Sequence, residues 1–292
     1  MHILNILKQF RDSLTGETAW LRCVLVALLA GASANCGGPK PKPEQPQPLR
    51  LRVVSWNIHH GEGLDRKIDL ERIAASLREW HPDLVALQEV DVKTQRSAGV
   101  DQAAELGRLM DMEVRFASAM EWGGGHYGLA ILGPAAMSEV TIDHLPNEDG
   151  LEPRIAASIE LDIAPGQRIR FVNTHLTSTG DALRLRQCQA LTAAFADSEL
   201  PSVLAGDLNA EPGSPELEEL GRWLDFAPEA GSEPTVPADQ PGRRIDFAGP
   251  DRRSGSKVIE SRVPGEAVAS DHRPVLVVLE LTLAPREGPA ER

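Results

Sequence analysis

The sequence predicts an α/β sandwich formed by one continuous domain, residues 51–284. Strand-like segments of apolar and β-branched residues alternate with segments whose apolar residues recur at helical spacing. The order of strands and helices is mixed, which favours helices set outside the sheets. No segment repeats along the chain, and its 292 residues are enough to bury a large core.

The first part of this domain predicts two strand–helix pairs. The stretch "LRVVSW" has the composition of a strand, and "IDLERIAASLREW" carries apolar residues at helical spacing behind Asp69. The stretch "DLVALQEV" predicts a short buried strand, and "DQAAELGRLM" predicts the helix that follows it.

The remaining part predicts mainly strands around one long helix. A first series of strand-like runs is "MEVRFASAM", "YGLAILG", "AASIELDI" and "RIRFVNTHL". The amphipathic helix "ALRLRQCQALTAAFA" then leads into the strand "PSVLAG". Late strands are expected at "RRIDFAG", "SKVIES" and "RPVLVVLELTL".

Residues 1–36 have the pattern of an export leader. A mildly basic segment precedes the apolar run "CVLVALLAGAS", which has the length of a signal-peptide core and is short of a membrane span. The triplet "ASA" matches a signal-peptide cleavage site, whereas Cys36 resembles the lipidated first residue of a bacterial lipoprotein. An internal hydrophobic helix followed by a loop is the structural alternative. We expect an exported protein that is periplasmic, extracellular or lipid-anchored to a bacterial membrane.

Two further segments flank the domain. Residues 37–50 are rich in proline and are expected to form an extended linker, which would tether the domain to a membrane surface if Cys36 is lipidated. Residues 285–292 are expected to form a polar tail.

The composition restricts both the binding partners and the metals. A net charge of −13 at pH 7 disfavours sequence-independent DNA binding, although a metal-filled cleft can override the bulk charge locally. Two of the three cysteines lie in the leader, which excludes a disulfide framework and a cysteine-rich zinc site. Any metal is therefore held by oxygen and nitrogen ligands, which favour hard cations such as Mg²⁺.

Each predicted buried strand terminates in an unusual polar residue or is followed by one. Burying a lone carboxylate is costly, and several carboxylates near one another are tolerated only with a cation. Because strand ends in a sandwich converge on one rim, we expect these side chains to line a single cleft. The residues are Asn57, Glu89, His175, Asp207, Asn209, Asp246, Asp271 and His272.

Each of these residues also has an ordinary structural interpretation, as a turn amide, a capping carboxylate or part of an Asx-turn. Their recurrence at successive strand ends favours a functional cleft instead. The stretch "GDLNAEPGSPEL" also raises the possibility of a calcium-binding EF-hand loop, which needs glycine at its sixth position. Pro212 occupies that position and a predicted strand precedes the loop, so the calcium interpretation is rejected.

The motifs of the domain resemble those of the endonuclease/exonuclease/phosphatase superfamily, which includes deoxyribonuclease I. In the family order these motifs are "SWNIHHG", "ALQEVD", "GGHYGLAIL", "EPR", "NTHL", "AGDLNAEPGS", "RRIDF" and "ASDHRPV". The resemblance implies a four-layer α/β sandwich of the deoxyribonuclease I type. Two packed mixed β-sheets would be flanked by helices, with the active site at one rim.

The resemblance also implies a metal site and a water-activating residue. Glu89 would be the main divalent-metal ligand, with Asn57 and Asp271 completing the site directly or through water. The expected ion is Mg²⁺, with Mn²⁺ as the alternative. Asp207 would position or deprotonate the attacking water.

The remaining roles implied by the resemblance concern the phosphate. Asn209 would hold a phosphate oxygen, and His272, oriented by Asp246, would stabilise the charge of the phosphoryl group. His175 matches a histidine that is proposed as general acid in the deoxyribonuclease and sphingomyelinase branches, where the repair-endonuclease branch has a tyrosine. Arg154 would add a forked phosphate contact, or it would form a surface ion pair.

Several positions depart from the family pattern. Leu129 stands where relatives often have asparagine, Gly133 and Pro134 replace a usual Ser-Arg pair, and Phe247 replaces a frequent tyrosine. These positions concern substrate contacts and the shape of the cleft, so they weaken inference about the substrate more than inference about the reaction.

We expect a secreted or membrane-tethered, Mg²⁺-dependent hydrolase that cleaves a phosphodiester or phosphomonoester by direct attack of an activated water. An extracellular or periplasmic nuclease is the alternative, and a non-catalytic binding module on the same fold is the second alternative. An aromatic content of 4% and isolated basic pairs favour a phospholipid head group or small phosphodiester over nucleic acid. The protein is expected to be a monomer.

Overall fold

Two β-sheets lie at the centre of the structure, a computed structural model that describes residues 49–164, 167–226 and 233–281. The strands, in chain order, are β1 (Leu49–Asn57), β2 (Leu84–Val92), β3 (Glu113–Trp122), β4 (Gly125–Gly133), β5 (Thr141–His144), β6 (Ile155–Ala164), β7 (Gln167–His175), β8 (Ser202–Asp207), β9 (Asp246–Pro250), β10 (Lys257–Arg262) and β11 (Val275–Leu281). The helices are α1 (Leu70–Trp80), α2 (Gln102–Met110), α3 (Asp181–Phe195) and α4 (Pro215–Leu220).

Each sheet contains one pair of parallel strands. The six-stranded sheet has the order β10-β11-β1-β2-β4-β3, and the five-stranded sheet has the order β5-β6-β7-β8-β9. Strand β1 runs parallel to β2 and β7 runs parallel to β8, whereas the other neighbouring pairs are antiparallel. The carboxyl ends of β1 and β2 therefore lie at one edge of their sheet, and those of β7 and β8 lie at one edge of theirs.

Three hydrophobic clusters separate four layers. One cluster lies between the sheets and includes Val53 and Phe171. A second packs the outer face of the six-stranded sheet against α1 and α2, with the rings of Trp56 and Trp80 5.6 Å apart. The third packs the five-stranded sheet against α3, which contributes Leu191. This arrangement confirms the predicted four-layer α/β sandwich of two mixed sheets flanked by helices.

Strand alternation directs several polar residues into the layer between the sheets. Val53 of β1 lies in that core, and Asn57 shares its face because side chains an even number of positions apart point the same way. On β8, Val203 lies in the core and Asp207 shares its face. The inter-sheet core therefore ends in a polar rim, where the Asn57 amide is 3.1 Å from the Asp207 carboxylate.

A β-bulge in β2 turns Glu89 toward the same rim. Between the pairs Leu87–Ala130 and Val90–Gly128, β2 has two residues where β4 has one. Leu87 and Val90 both pack on the helical side of the sheet, which the period of a regular strand does not allow at this spacing. Glu89 adopts the left-handed backbone conformation (φ 59°), which costs free energy in a residue other than glycine.

A buried amide from the opposite sheet supports this bulge. The Nδ2 of Asn173 in β7 donates to the carbonyl oxygens of Leu87 at 2.9 Å and Ala130 at 3.0 Å. Its Oδ1 accepts a 2.7 Å hydrogen bond from Nε2 of Gln88. These bonds satisfy buried backbone groups at the irregular pairing, so Asn173 joins the two sheets beside Glu89.

Three predicted site residues reach the rim by a different route from the one expected. Asp246 begins β9, and Asp271 and His272 precede β11, so the expectation that these residues follow a strand is wrong. The physical reason is strand direction. Strand β9 is antiparallel to β8, which pairs Asp246 directly with Asp207. Strand β11 is antiparallel to β1, so its amino end lies at the carboxyl end of β1.

The element boundaries also differ from the prediction. Strand β1 begins at Leu49, inside the segment predicted as linker. The sequence pattern does not predict β5, which is a four-residue edge strand with mostly exposed side chains. It does not predict α4 either, because this helix has only six residues, although Ser214 caps its start by accepting a hydrogen bond from the backbone N–H of Leu217.

The predicted leader, most of the predicted linker and the predicted polar tail lie outside the described residues. Within the described ranges, no helix has both the length and the hydropathy needed to cross a membrane.

Replacing Asn173 by leucine tests the role of the inter-sheet amide. The side chains are similar in size, but the carbonyls of Leu87 and Ala130 lose their donor, so we expect the free energy of unfolding to fall by about 3 kcal/mol. Urea denaturation measures this change. The matched control is Asn147→Leu, which removes an exposed hydrogen bond to Leu151 and is expected to cost less than about 1 kcal/mol. Equal stability of the two variants would refute the role assigned to Asn173.

Candidate active site

Asn57 links two carboxylates that come from different sheets. Its Nδ2 donates to Oε1 of Glu89 at 2.9 Å and to Oδ2 of Asp207 at 3.1 Å. Its Oδ1 accepts the backbone N–H of His59 at 3.0 Å, which fixes the orientation of the amide. Asn57 therefore presents hydrogen-bond donors, not its oxygen, to the two carboxylates.

Asp207 lies at the centre of the rim and is fully buried. Its Oδ1 accepts the backbone N–H of Asn209 at 3.0 Å, in a turn where Asn209 adopts a left-handed conformation (φ 48°). Burial and the nearby negative charge of Asp246 raise the pKa of Asp207 to about 7, although His272 and the hydrogen bonds from Asn57 and Asn209 oppose the shift. Asp207 can thus exchange a proton near neutral pH.

His272 and Asp246 form a buried ion pair next to Asp207. The Nδ1 of His272 is 3.0 Å from Oδ2 of Asp246 and 3.8 Å from Oδ2 of Asp207. Burial alone would lower the pKa of His272, but the charge and hydrogen bond of Asp246, together with the charges of Asp207 and Asp271, raise it to about 10. The imidazole is therefore a cation at neutral pH.

His175 is the second histidine of this cluster and has the opposite electrostatic character. Its Nε2 is 3.4 Å from Oδ2 of Asp207. Burial, followed by the positive charges of Arg154 and His272, holds its pKa well below the usual range. One imidazole of the site is thus charged and the other is neutral.

Arg154 lies beside this cluster in a buried position. It forms a 2.8 Å ion pair with Glu152, and its Nε has no hydrogen-bond partner among the described residues. The ion-pair alternative is therefore observed, between a buried arginine and a partly exposed glutamate. Glu152 also accepts a hydrogen bond from the Tyr127 hydroxyl, and burial raises the pKa of both Glu152 and Tyr127.

Two other predicted residues contact the cluster less directly. The Nδ2 of Asn209 donates to the carbonyl of Leu176 at 3.0 Å, which holds the amide beside Asp207. Asp271 is partly buried and its Oδ1 lies 3.3 Å from the Ser270 hydroxyl. Asp271 does not belong to the groups of clustered ligating atoms found among the described residues, so its role as a metal ligand stays a prediction.

Two residues that build the site are not among those predicted from the sequence. The Ser270 hydroxyl donates to the carbonyl of Asn57 at 2.7 Å and accepts the backbone N–H of His272, which ties that loop to β1. Asn173 supports the bulge at Glu89. The sequence does contain a signal for Asn173, because this polar residue lies two positions before His175 and therefore on the same face of a buried strand. The sequence shows no comparable signal for Ser270.

The described residues contain two groups whose ligating atoms lie within 4.8 Å of one another: His59, His60 and Glu89, and Asp207, Asp246 and His272. In the second group, Nδ1 of His272 is already hydrogen-bonded to Asp246. In the first group, burial, followed by the charges of Arg96 and His59, lowers the pKa of His60 to about 4, so its imidazole is uncharged at neutral pH. Carboxylates and neutral imidazoles are ligands of divalent cations, and this donor set fits such an ion.

A known family matches the part of the chain that contains this cluster. The model of the endonuclease/exonuclease/phosphatase family matches residues 54–272. The chain belongs to the endonuclease/exonuclease/phosphatase family. The predicted family is thereby confirmed, and members of this family are hydrolases. No curated protein sequence matches the chain.

Solved structures share the family fold. An endonuclease/exonuclease/phosphatase from Beutenbergia cavernae is 26% identical with a TM-score of 0.65, over 80% of this chain and 72% of that chain. The mannosyl-6-phosphatase of Bacteroides thetaiotaomicron is 18% identical with a TM-score of 0.65, over 78% of this chain and 99% of that chain. The human Nocturnin catalytic domain is 20% identical with a TM-score of 0.61, over 80% and 94%. At identities below 25%, the last two likenesses show the fold alone.

Replacing Asp246 by asparagine tests the electrostatics of this family member's rim. The variant loses the carboxylate that holds the proton on His272, so we expect the pKa of His272 to fall from about 10 toward its ordinary value of 6.5. Histidine NMR signals of the metal-free full chain, followed against pH, measure the change. Because the pKa is raised by folding, the ion pair stabilises the protein fully below pH 6.5 and loses this effect as the pH rises to about 10.

The control for this titration is Asp239→Asn, which alters an exposed carboxylate and should leave the titration of His272 unchanged. A His272 pKa that does not move in Asp246→Asn would contradict the assigned pair.

Proposed function

We propose that this family member is a divalent-metal-dependent phosphoesterase that hydrolyses its substrate by direct attack of an activated water. The observation that carries the proposal is the buried group formed by Asp207, Asp246 and His272, which Asn57 joins to Glu89. Phosphoester hydrolysis needs a base for water, positive charge for the phosphoryl oxygens and a site for a cation. The rim provides residues suited to each task.

Asp207 is the residue best suited to act on water. General bases work best when their pKa lies near the working pH, and the pKa of Asp207 is about 7. Its Oδ1 is held by the backbone N–H of Asn209 and its Oδ2 by Asn57, so the carboxylate has a fixed orientation. We assign it the positioning and deprotonation of the attacking water.

His272 supplies a fixed positive charge for the phosphoryl group. The carboxylate of Asp246 keeps the imidazole protonated at neutral pH, and the Ser270 hydroxyl holds the backbone of His272. Such a preorganised donor stabilises charge that develops on phosphoryl oxygens in the transition state. Asn209 and Arg154 are further candidates for phosphate contact, since the buried Nε of Arg154 has no hydrogen-bond partner within the part of the chain that the structure describes.

We assign His175 to the leaving-group oxygen. In the free site this imidazole is neutral, because burial disfavours its charged form. It therefore acts first as an N–H hydrogen-bond donor. A phosphate group bound beside it would favour the protonated imidazole and allow transfer of a proton to the leaving oxygen.

Glu89 would be the main ligand of the divalent cation. When bound, the cation would neutralise charge on the phosphoryl oxygens and orient the substrate. A cation fits this position because, among the described residues, the carboxylates of Glu89, Asp207 and Asp246 meet at the rim beside the imidazolium of His272, which carries one positive charge.

For the substrate class, we favour a phospholipid head group or a small phosphodiester over nucleic acid. Asn209 lies on the wall of a groove with a volume of about 700 Å³. The described part of its lining offers hydroxyls and charged groups, among them Ser178, Ser214 and Arg243, but no aromatic side chain for base stacking. An exported or membrane-tethered location, proposed from the predicted leader, would bring the protein to such head groups.

Replacement of Asp207 by asparagine tests the proposed reaction. Loss of the base should reduce turnover about 10²–10⁴-fold with little effect on folding. The measurement uses the full chain with Mg²⁺ or Mn²⁺ on sphingomyelin, phosphoinositides, plasmid DNA and nitrophenyl mono- and diesters. Asp162→Asn, which alters an exposed carboxylate on β6, serves as the control and should keep full activity.

The outcomes separate the alternatives. Preferred cleavage of plasmid DNA would identify a nuclease and overturn the substrate assignment. Full activity of Asp207→Asn, or full activity after chelation, would overturn the mechanism. Absence of turnover on every substrate, with metal and phosphate still bound, would identify a binding module.

A further inference from the structure

Two consecutive histidines lie against the carboxylate of Glu89. His59 and His60 follow β1 in a short 3-10 turn, and one nitrogen of each imidazole lies within 4.8 Å of the other and of a Glu89 oxygen. The two rings meet edge to face with their centroids 4.5 Å apart. The rim therefore brings nitrogen as well as oxygen ligands to the position that the family resemblance assigns to a cation.

His60 has an unused nitrogen in a buried place. The residue is 8% exposed, and its Nδ1 has no hydrogen-bond partner among the described residues. Its Nε2 lies 3.8 Å from the Glu62 carboxylate. Buried polar nitrogens are normally hydrogen-bonded, so the Nδ1 of His60 is available to a ligand.

His59 has the hydrogen-bond pattern of a metal-bound histidine. Its Nδ1 lies 3.2 Å from the carbonyl oxygen of Glu62. A carbonyl only accepts hydrogen bonds, so Nδ1 must carry the proton and Nε2 keeps a free lone pair. Histidines that bind metals commonly donate their second ring nitrogen to a carbonyl or carboxylate in this way.

The turn that carries both histidines is held from several sides. The backbone N–H of His59 donates to Oδ1 of Asn57, and Nε2 of Gln102 donates to the carbonyl of His60 at 2.6 Å. The backbone N–H of Glu62 closes the turn on the carbonyl of His59 at 2.8 Å. The imidazoles are therefore positioned by bonds that do not use their free nitrogens.

Asn57 does not compete with the imidazoles for a cation beside Glu89, because its side-chain oxygen bonds to the backbone of His59. It directs Nδ2 at Glu89 and Asp207, and its Oδ1 accepts the N–H of His59. The atom that Asn57 directs at Glu89 is therefore its amide nitrogen, which does not bind metal ions, whereas the two imidazoles offer nitrogen lone pairs.

We propose that His59, His60 and Glu89 bind a divalent cation through two imidazole nitrogens and a carboxylate oxygen. This ligand set selects a borderline transition-metal ion such as Zn²⁺ in preference to Mg²⁺. The inference deepens the proposed function by specifying the ligands and type of cation, and only the catalytic use of that cation rests on the proposed function.

Isothermal titration calorimetry of Zn²⁺, Mn²⁺ and Mg²⁺ into the metal-free full chain tests the site without substrate. We expect Zn²⁺ to bind at least about 10-fold more tightly than Mg²⁺. His59→Gln and His60→Gln should each weaken Zn²⁺ binding at least about 10-fold, and Glu89→Gln should weaken binding of all three ions. The control His144→Gln changes an exposed histidine of β5 and should leave the affinities unchanged.

A spectroscopic measurement on the unaltered protein avoids dependence on the folding of the variants. Pulsed EPR of the Mn²⁺-loaded full chain should show ¹⁴N couplings from coordinated imidazole. Absence of these couplings, or Zn²⁺ affinity that is unchanged in both folded histidine variants, would overturn the proposal. Because neither readout uses turnover, failure of the phosphoesterase activity and failure of this metal site are distinguishable.

Discussion

Glu89, Asp207 and Asp246 bring three carboxylates to one buried rim, where the imidazolium of His272 balances only part of their charge. The neighbouring arginines do not neutralise the remaining negative charge, since Arg154 is paired with Glu152 and Arg96 is paired with Asp91. Buried negative charge of this kind is tolerated only if it is protonated or compensated by a cation. Burial, followed by the negative charge of Asp246, raises the pKa of Asp207.

The fold holds these groups together despite the free-energy cost of burying their negative charge. Strands β1 and β8 deliver Asn57 and Asp207 from opposite sheets, and the Asn57 amide donates to both flanking carboxylates. The bulge of β2 places Glu89 on the same side, at the expense of a left-handed backbone conformation. Asn173 supports this bulge by satisfying its carbonyls from the opposite sheet. Strained conformations persist at functional sites because the surrounding structure fixes them in this way.

Much of this organisation follows from the sequence. Alternation of apolar residues predicts most of the strands, and polar residues at strand ends single out Asn57, Glu89 and Asp207. The short edge strand β5 and the short helix α4 are not predicted, because each offers too few residues for a periodic pattern. The route of Asp246 to the rim depends on the direction of β9, which a pattern of residue types does not specify.

The pattern of residue types also does not predict the contacts between the sheets. A bulge shifts the face of every residue after it, so the orientation of Glu89 could not be predicted from alternation alone. The pairing of Asn173 with two carbonyls depends on how the sheets pack. His59 and His60 stand next to Asn57 in the sequence, yet their proximity to Glu89 depends on the turn that follows β1.

We propose above that this rim binds a cation at Glu89 and a phosphoryl group between Asp207, Asn209 and His272. Crystals of the full chain grown with Mn²⁺ and inorganic phosphate would locate both groups by anomalous diffraction. We expect a Mn²⁺ peak bonded to Glu89, with phosphate hydrogen-bonded to Asn209 and His272. Phosphate bound only away from these residues, or Mn²⁺ bound without Glu89, would contradict this proposal.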